Sequence, residues 1–418
     1  MASEIVELGE RARAAARRLR TVDTAAKNAA LERVADLIKE QEATILDANE
    51  QDVEDAKGGG LDEHLIERLL LTPKRLEGIA SDVRSVAALP DPVGETFDAR
   101  TLPNGLRISR RRVPIGVIGV IYESRPNVTV DIGALCLKSG NAVILRGGKE
   151  AARSNRALAD AISGGCADEV GDNAVQLVRS KERALVKEML AAEEYIDMII
   201  PRGGPALHRL ALENATMPVI TGGMGICHVY LDRSADAEKA VPIVHNSKVQ
   251  RPTVCNALDV LLVHSGLAAD LLPAIAERLA ASGVELRCGP RALEILGGRD
   301  LVSAAGPDDF DTEFLSLVLA IRVVDSMEEA LDHVEAHSTR HTDVIVTEDE
   351  IAAKRFLDEV DSAVVMANAS TRFNDGAQLG LGAEVAISTQ RLHARGPMAL
   401  RELTTYKWVV VGEGQVRA

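Results

Sequence analysis

The chain has 418 residues, with 48 Lys+Arg against 63 Asp+Glu and a formal charge of −15. Apolar residues make up 46 %, charged residues 27 % and aromatics only 2 %, which supplies large aliphatic cores and excludes a mainly disordered chain. The acidic balance and the scarcity of rings exclude a nucleic-acid surface built on phosphate contacts or base stacking, and no apolar run approaches the ~18 residues of a membrane span.

The first residues, Met1-Ala-Ser-Glu-Ile-Val-Glu7, lack the basic start and apolar stretch of a signal peptide, so a cytoplasmic location is expected. Residues 3–55 read as helices, with Leu31, Val34, Ala35 and Ile38 forming an apolar stripe. Gly58-Gly59-Gly60 breaks that pattern, and two shorter helical stretches run on to Pro90-Asp91-Pro92. Residues 96–112 turn strand-like and basic around Pro103-Asn104-Gly105, a hairpin that predicts a protruding two-stranded arm.

From Gly116 the grammar changes. Gly116-Val-Ile-Gly-Val-Ile-Tyr122 reads as a strand buried on both faces. Helix 128–139, strand 142–145, helix 154–162, strand 174–178, a charged helix, strand 196–200 and helix 205–214 follow. Strands 217–220 and 227–231 close the first alternation. It restarts after Asp232 with helix 235–249, strand 259–264, helix 266–282, strand 317–324, helix 326–338, strand 343–347, helix 349–360 and strand 363–367. Such alternation predicts two α/β domains, each a doubly wound parallel sheet. Residues 404–411 form one more apolar strand, with the early arm or another subunit as its partner.

Motif absences narrow the chemistry. Gly147-Gly148-Lys149-Glu150 lacks the hydroxyl of a P-loop, and no G-x-G-x-x-G joins a strand to a helix. Two glycine-rich strand exits remain, Arg146-Gly-Gly-Lys149 and Pro201-Arg-Gly-Gly-Pro205. Each is either an ordinary βα turn or a phosphate cradle; the basic pair Arg146/Lys149 favours a phosphorylated ligand. His333, His337 and His341 are spaced four apart, as a metal set on one helical face would be. Ser338-Thr339-Arg340 reads as the helix end, which takes His341 off that face and disfavours a metal.

Five cysteines, Cys136, Cys166, Cys227, Cys255 and Cys288, show no C-x-x-C spacing, which disfavours disulfides and zinc. Each defaults to a small buried apolar residue, and Cys255 departs from that default. It follows the Pro-broken stretch Lys248-Val-Gln-Arg-Pro252 and precedes Asn256 and a strand, with Lys248 and Arg251 as cations to favour a thiolate. A cysteine nucleophile beside a nicotinamide site points to acyl-thioester chemistry with hydride transfer.

Four stretches carry a resemblance: Tyr122-Glu-Ser-Arg-Pro-Asn-Val-Thr-Val-Asp131, Ser139-Gly-Asn-Ala-Val-Ile-Leu-Arg-Gly-Gly-Lys-Glu-Ala151, Gln250-Arg-Pro-Thr-Val-Cys-Asn256, and Gly380-Leu-Gly-Ala-Glu384 through Leu392-His-Ala-Arg-Gly-Pro397. The chain resembles, over essentially its whole length, the γ-glutamyl phosphate reductase family of the aldehyde dehydrogenase superfamily. The His333/His337/His341 stretch resembles the same family's signature. The resemblance implies an NADPH-binding domain (1–95 and 113–232), a catalytic domain (233–387) and an oligomerisation arm (96–112 and 388–418). It implies reduction of L-glutamyl 5-phosphate to L-glutamate 5-semialdehyde with release of phosphate, in L-proline biosynthesis. A homo-oligomer, dimer or tetramer, is implied, and a glutamate 5-kinase is a candidate partner.

By the same resemblance Cys255 is the nucleophile and Gly203 and Gly204 form the pyrophosphate turn. Glu313 holds the nicotinamide ribose, and Arg146 and Lys149 lie on the adenosine side. Gly147, Gly148, Thr221 and Gly222 join the cofactor set. A cation at position 149, where NAD-using members often carry a glutamate, favours NADPH/NADP over NADH. Ile220 stands where hydrolytic relatives carry a glutamate general base, and Ile cannot activate water. The oxyanion asparagine of the superfamily has no clean counterpart, which leaves Asn256 or backbone N–H groups. Residues 368–375 align with the substrate-anchoring loop, with Thr371 and Arg372 as substrate contacts. Ser124 and Arg125 are a second set, and either arginine could instead form a structural ion pair. A hydrolytic aldehyde dehydrogenase and a catalytically silent scaffold are the competing readings.

Overall fold

In a computed structural model residues 3–222 and 224–417 are described; Gly223 lies outside them. The chain divides into two compact units. The first comprises Met1–Thr221, Gly380–Ala386 and Met398–Ala418, and the second Gly222–Leu379 and Ile387–Pro397.

The first unit opens with helices Glu4–Leu19, Thr24–Glu40, Glu42–Gly58, Glu63–Leu69 and Pro73–Ala88. Ser3, Asp23 and Thr72 cap three of them by accepting free N–H groups of the first turn. The stripe Leu31, Val34, Ala35 and Ile38 is fully buried. The sheet is parallel, in the order Val175–Leu177, Ala142–Arg146, Val117–Tyr122, Met198–Arg202. Its centre is apolar on both faces, as the unbroken Val117–Tyr122 run requires.

The arm is a three-stranded antiparallel sheet. Thr96–Thr101 pairs with Arg107–Pro114, which pairs along its length with Thr404–Val411, Trp408 opposite Arg110. The strand near the carboxyl end therefore has the early arm as its partner. Arg110 lies 4.7 Å from the ring centres of both Tyr406 and Trp408, so the few aromatic side chains of the arm are stacked with its arginines.

The second unit is built on a seven-stranded parallel sheet in the order Val302–Ala304, Glu285–Cys288, Val318–Val324, Leu258–His264, Cys227–Leu231, Thr342–Val346, Val364–Ala367. Four expectations change here. Strand Cys227–Leu231 belongs to this sheet and not to the first, so the units part at Thr221/Gly222 and not at residue 232. Alternation reports that strands follow one another, not which sheet they join. Residues 217–220 form only a single bridge, Ile199 to Val219. The two strands Glu285–Cys288 and Val302–Ala304 were not expected, because at the edge of the sheet they carry Glu285, Arg287 and Ser303 and lack the all-apolar mark of the centre. Residues 387–397 lie with this unit and residues 398–418 with the first, which splits the expected arm segment 388–418. No described helix is long and apolar enough to cross a membrane.

Candidate functional site

In the first unit the predicted cofactor residues gather at the carboxyl ends of the parallel strands, where open α/β sheets bind ligands. Arg146 ends its strand 7 % exposed. Burial lowers its pKa, against which Glu4 and Glu150 pull upward. One terminal nitrogen bonds to Gly147 O, while Nε is buried without a hydrogen-bond partner among the described residues. Arg146, Lys149, Arg156, Arg179 and Lys181 line one pocket. The last three were missed by sequence reasoning, because they come from a following helix and from the loop after the next strand. Gly147 has no room for a side chain, since a β-carbon would lie 2.1 Å from Asn155 Nδ2.

Gly203 and Gly204 lead into helix Pro205–Asn214, whose first N–H groups offer partial positive charge. Gly204 N–H donates to Glu123 Oε2 at 2.9 Å. Ser124, at φ +38°, donates from both its N–H and its hydroxyl to Glu150 Oε1, at 2.9 and 2.7 Å. This hydroxyl thus ties the loop after Tyr122 to Glu150, beside the first glycine loop. Arg125 is half-buried in the same unit. Ile220 is 4 % exposed, and its N–H donates to Ile199 O; Thr221 ends this unit.

In the second unit the predicted residues Cys255, Asn256 and Glu313 gather at the opposite ends, each preceding a strand of its sheet, as does Gly225, which sequence reasoning missed. Cys255 sits half-buried between helix Ala237–Val249 and strand Leu258–His264. The other four cysteines are buried. Burial pushes Cys166 up to about 12 and Cys288 up to about 11, and Cys136 and Cys227 are raised as well.

The loop around Cys255 is fixed from both sides by the 3₁₀ turn Thr371–Phe373. Thr371 is buried and donates its hydroxyl to Asn256 O at 2.6 Å, and Arg372 Nε donates to Gln250 Oε1 at 2.7 Å. Thr371 is therefore a brace and not a substrate contact. Asn256 Nδ2 donates one of its two N–H groups to Asn374 O at 2.9 Å.

The expected cation is also corrected. Lys248 is fully buried and paired with Asp259 at 3.2 Å. Burial lowers the lysine and raises Asp259 to about 6, each opposed by the partner. Arg372 is the guanidinium whose charge interacts with Cys255; burial lowers its pKa and Asp375 opposes that. Only its Nε is hydrogen-bonded among the described residues.

Gly222 packs on a neighbouring backbone, since a β-carbon would lie 2.1 Å from Ile387 O. Glu313 Oε1 accepts the Gly225 N–H at 2.9 Å. The histidine stretch divides as its spacing suggests. Helix Met327–His337 ends at His337 and holds His333 and His337 with ring centres 4.3 Å apart, while His341 lies beyond it. Burial pushes His333 down to about 2, with His228 and His337 adding to it. Among the described residues no group of three His, Cys, Asp or Glu is arranged to hold a metal.

Residues 1–290 match the aldehyde dehydrogenase family. Over its whole length the chain is 56 % identical to all of the γ-glutamyl phosphate reductase of Roseiflexus castenholzii. It is 51 % identical to that of Escherichia coli O1:K1, with 99 % of each chain covered. The crystal structure of γ-glutamyl phosphate reductase from Thermotoga maritima superimposes with a TM-score of 0.97 at 47 % identity, covering both chains completely.

Proposed function

We propose that this chain, which belongs to the aldehyde dehydrogenase family and within it to the γ-glutamyl phosphate reductases, performs its reaction with NADPH through a thioester on Cys255. The reaction is reduction of L-glutamyl 5-phosphate to L-glutamate 5-semialdehyde with release of phosphate, a step of L-proline biosynthesis. One observation carries the thioester: the turn bearing Arg372 is bonded to the nucleophile loop on both sides of Cys255. That fixes a cation beside the thiol, and a nearby cation favours the thiolate.

The Cys255 sulfur attacks the acyl carbon, the bond to the phosphate oxygen breaks, and phosphate leaves with its electron pair. NADPH, when bound, supplies a hydride. The resulting alkoxide collapses, the carbon–sulfur bond breaks, and the semialdehyde leaves with Cys255 again a thiolate. The second N–H of the Asn256 amide or backbone N–H groups of the loop meet the oxyanion. The free edge of the Arg372 guanidinium takes the substrate α-carboxylate. The test is NADPH oxidation on addition of L-glutamyl 5-phosphate, with one phosphate released per NADPH. Oxidation without phosphate release overturns the reading.

The first unit suits a 2′-phosphorylated cofactor. Arg146 has a buried Nε with nothing to donate to, and four more cations line its pocket. Gly203 and Gly204 lead into a helix whose N-terminus suits the pyrophosphate, and in the second unit Glu313 serves the ribose. Lys149→Glu is expected to raise the KM for NADPH about ten-fold or more, the value of one charge-assisted hydrogen bond, and to leave that for NADH nearly unchanged. Steady-state kinetics with both cofactors check this, and an unchanged preference moves 2′-phosphate recognition off Lys149.

The arm supports a homo-oligomer. Strand Thr404–Val411 is hydrogen-bonded along one edge only and exposes Tyr406, Trp408, Val410 and Val411, an apolar edge of the kind that pairs with another chain.

A further inference from the structure

We propose that Glu313 is also a positioning residue for Cys255, holding Gly225 against the nucleophile's backbone and so fixing the thiol before any cofactor binds. This rests on the reading of Cys255 as the nucleophile. A β-carbon on Gly225 would lie 1.7 Å from Cys255 O and 2.6 Å from its carbonyl carbon. The two backbones are therefore in direct contact, and movement of one displaces the other. The Gly225 N–H donates to Glu313 Oε1 at 2.9 Å. On the next residue, the Ile226 N–H donates to Thr339 Oγ1 at 2.9 Å. The Cys227 thiol donates to Cys255 O at 3.2 Å.

Glu313 is itself placed from both sides. Two residues before it, Asp311 Oδ1 meets His337 Nδ1 at 2.8 Å. One residue after it, the Phe314 N–H donates to Asp259 Oδ1 at 3.3 Å, and the buried Lys248 paired with Asp259 lies 5.8 Å from the Phe314 ring centre. A carboxylate on so fixed a connection is a bracket, not a mobile side chain. Gly225 takes only Oε1, so Oε2 remains for a ribose hydroxyl and the two roles coexist. The chain of contacts from His337 through Asp311, Glu313 and Gly225 ends on Cys255. It gives part of the histidine stretch a purpose that metal binding does not.

The test is alkylation of the full-length, cofactor-free protein by iodoacetamide at neutral pH, followed at Cys255 by peptide mass spectrometry. The four buried cysteines report any loss of folding. Glu313→Ala is expected to slow alkylation about three-fold or more, because the thiol is no longer held where Arg372 favours its thiolate. Glu313→Gln keeps an acceptor for the Gly225 N–H and is expected to restore the rate. Gly225→Ala, with Glu313 intact, drives a methyl group into the Cys255 carbonyl and is expected to slow alkylation as well. A wild-type or faster rate in Glu313→Ala or in Gly225→Ala overturns the proposal, and leaves the proposed reaction standing if turnover still depends on Cys255. Turnover in Cys255→Ala overturns that reaction itself.

Discussion

Replacing Cys255 with alanine or serine is expected to lower turnover by about 10⁴-fold or more, as removal of a covalent nucleophile does. NADPH binding and the melting temperature should stay close to those of the unchanged protein. The difference follows from what holds the loop. Its bonds run through the Asn256 carbonyl to Thr371, the Asn256 side-chain amide to Asn374, and the Cys255 carbonyl to Cys227, and alanine or serine at position 255 keeps all of these groups. Because Cys255 is half-exposed, the change leaves no sealed cavity. Alanine at Cys136, Cys166, Cys227 or Cys288 should behave in the opposite way. Those thiols are buried and pushed toward the neutral form, so each loss costs about 0.5–3 kcal/mol of stability, with the chemistry retained at Cys136, Cys166 and Cys288 and lowered far less than at Cys255 when the Cys227 bond to the Cys255 carbonyl is lost. Kinetics, NADPH titration and thermal melts on the six variants separate the two classes. Cys255→Ser that turns over at more than a hundredth of the wild-type rate removes the thioester from the mechanism.

What the sequence conveys depends on whether a feature is local. The strand–helix alternation, the arm hairpin and the glycine exits are each set by a few neighbouring residues, and the structure has them where the pattern places them, apart from strand 217–220 and the two polar edge strands. Sheet membership is not local. Ile220 and Cys227 are separated by a short glycine-rich turn, yet Val219 joins the first sheet and Cys227–Leu231 the second. The proposed nucleophile, Cys255, stands out in the sequence because its context is polar and Pro-broken while the other four cysteines are in apolar or turn contexts. Its cation does not, because Lys248, near in sequence, faces the interior and Asp259, whereas Arg372 arrives from more than a hundred residues on. The rule that ligands sit at the carboxyl ends of parallel strands locates the loops of the first unit. It misses the second, where Gly225, Cys255 and Glu313 collect at the amino ends. Gly225 carries no sequence signal, since a glycine required by one neighbouring carbonyl looks like any turn glycine.

Oxidation of the semialdehyde by NADP⁺ is expected to require phosphate or arsenate, with product formation near zero without either. In that direction a thioester on Cys255 awaits a nucleophile, and water and phosphate compete for it. Water needs a general base, worth roughly 10²–10⁴ in rate, and the position at which hydrolytic relatives carry one is Ile220. That side chain is buried and apolar, its backbone bonded to Ile199. Two carboxylates of the second unit already accept hydrogen bonds at one oxygen each. Glu313 accepts the Gly225 N–H, and Asp375 Oδ1 accepts the N–H groups of Ala377 and Gln378 while its charge acts on Arg372. Phosphate, already an anion, needs no base and returns along the path by which it left. The bland alternative makes Ile220 a packing residue with no bearing on water. NADPH formation from semialdehyde and NADP⁺, with and without phosphate, decides between the two. Phosphate-independent turnover above about a hundredth of the full rate demonstrates a water-activating base, since losing general-base assistance should cost at least that factor. In that event Ile220→Glu gains little. If phosphate is required, the same substitution restores a carboxylate to the hydrolytic position, and phosphate-independent oxidation should appear.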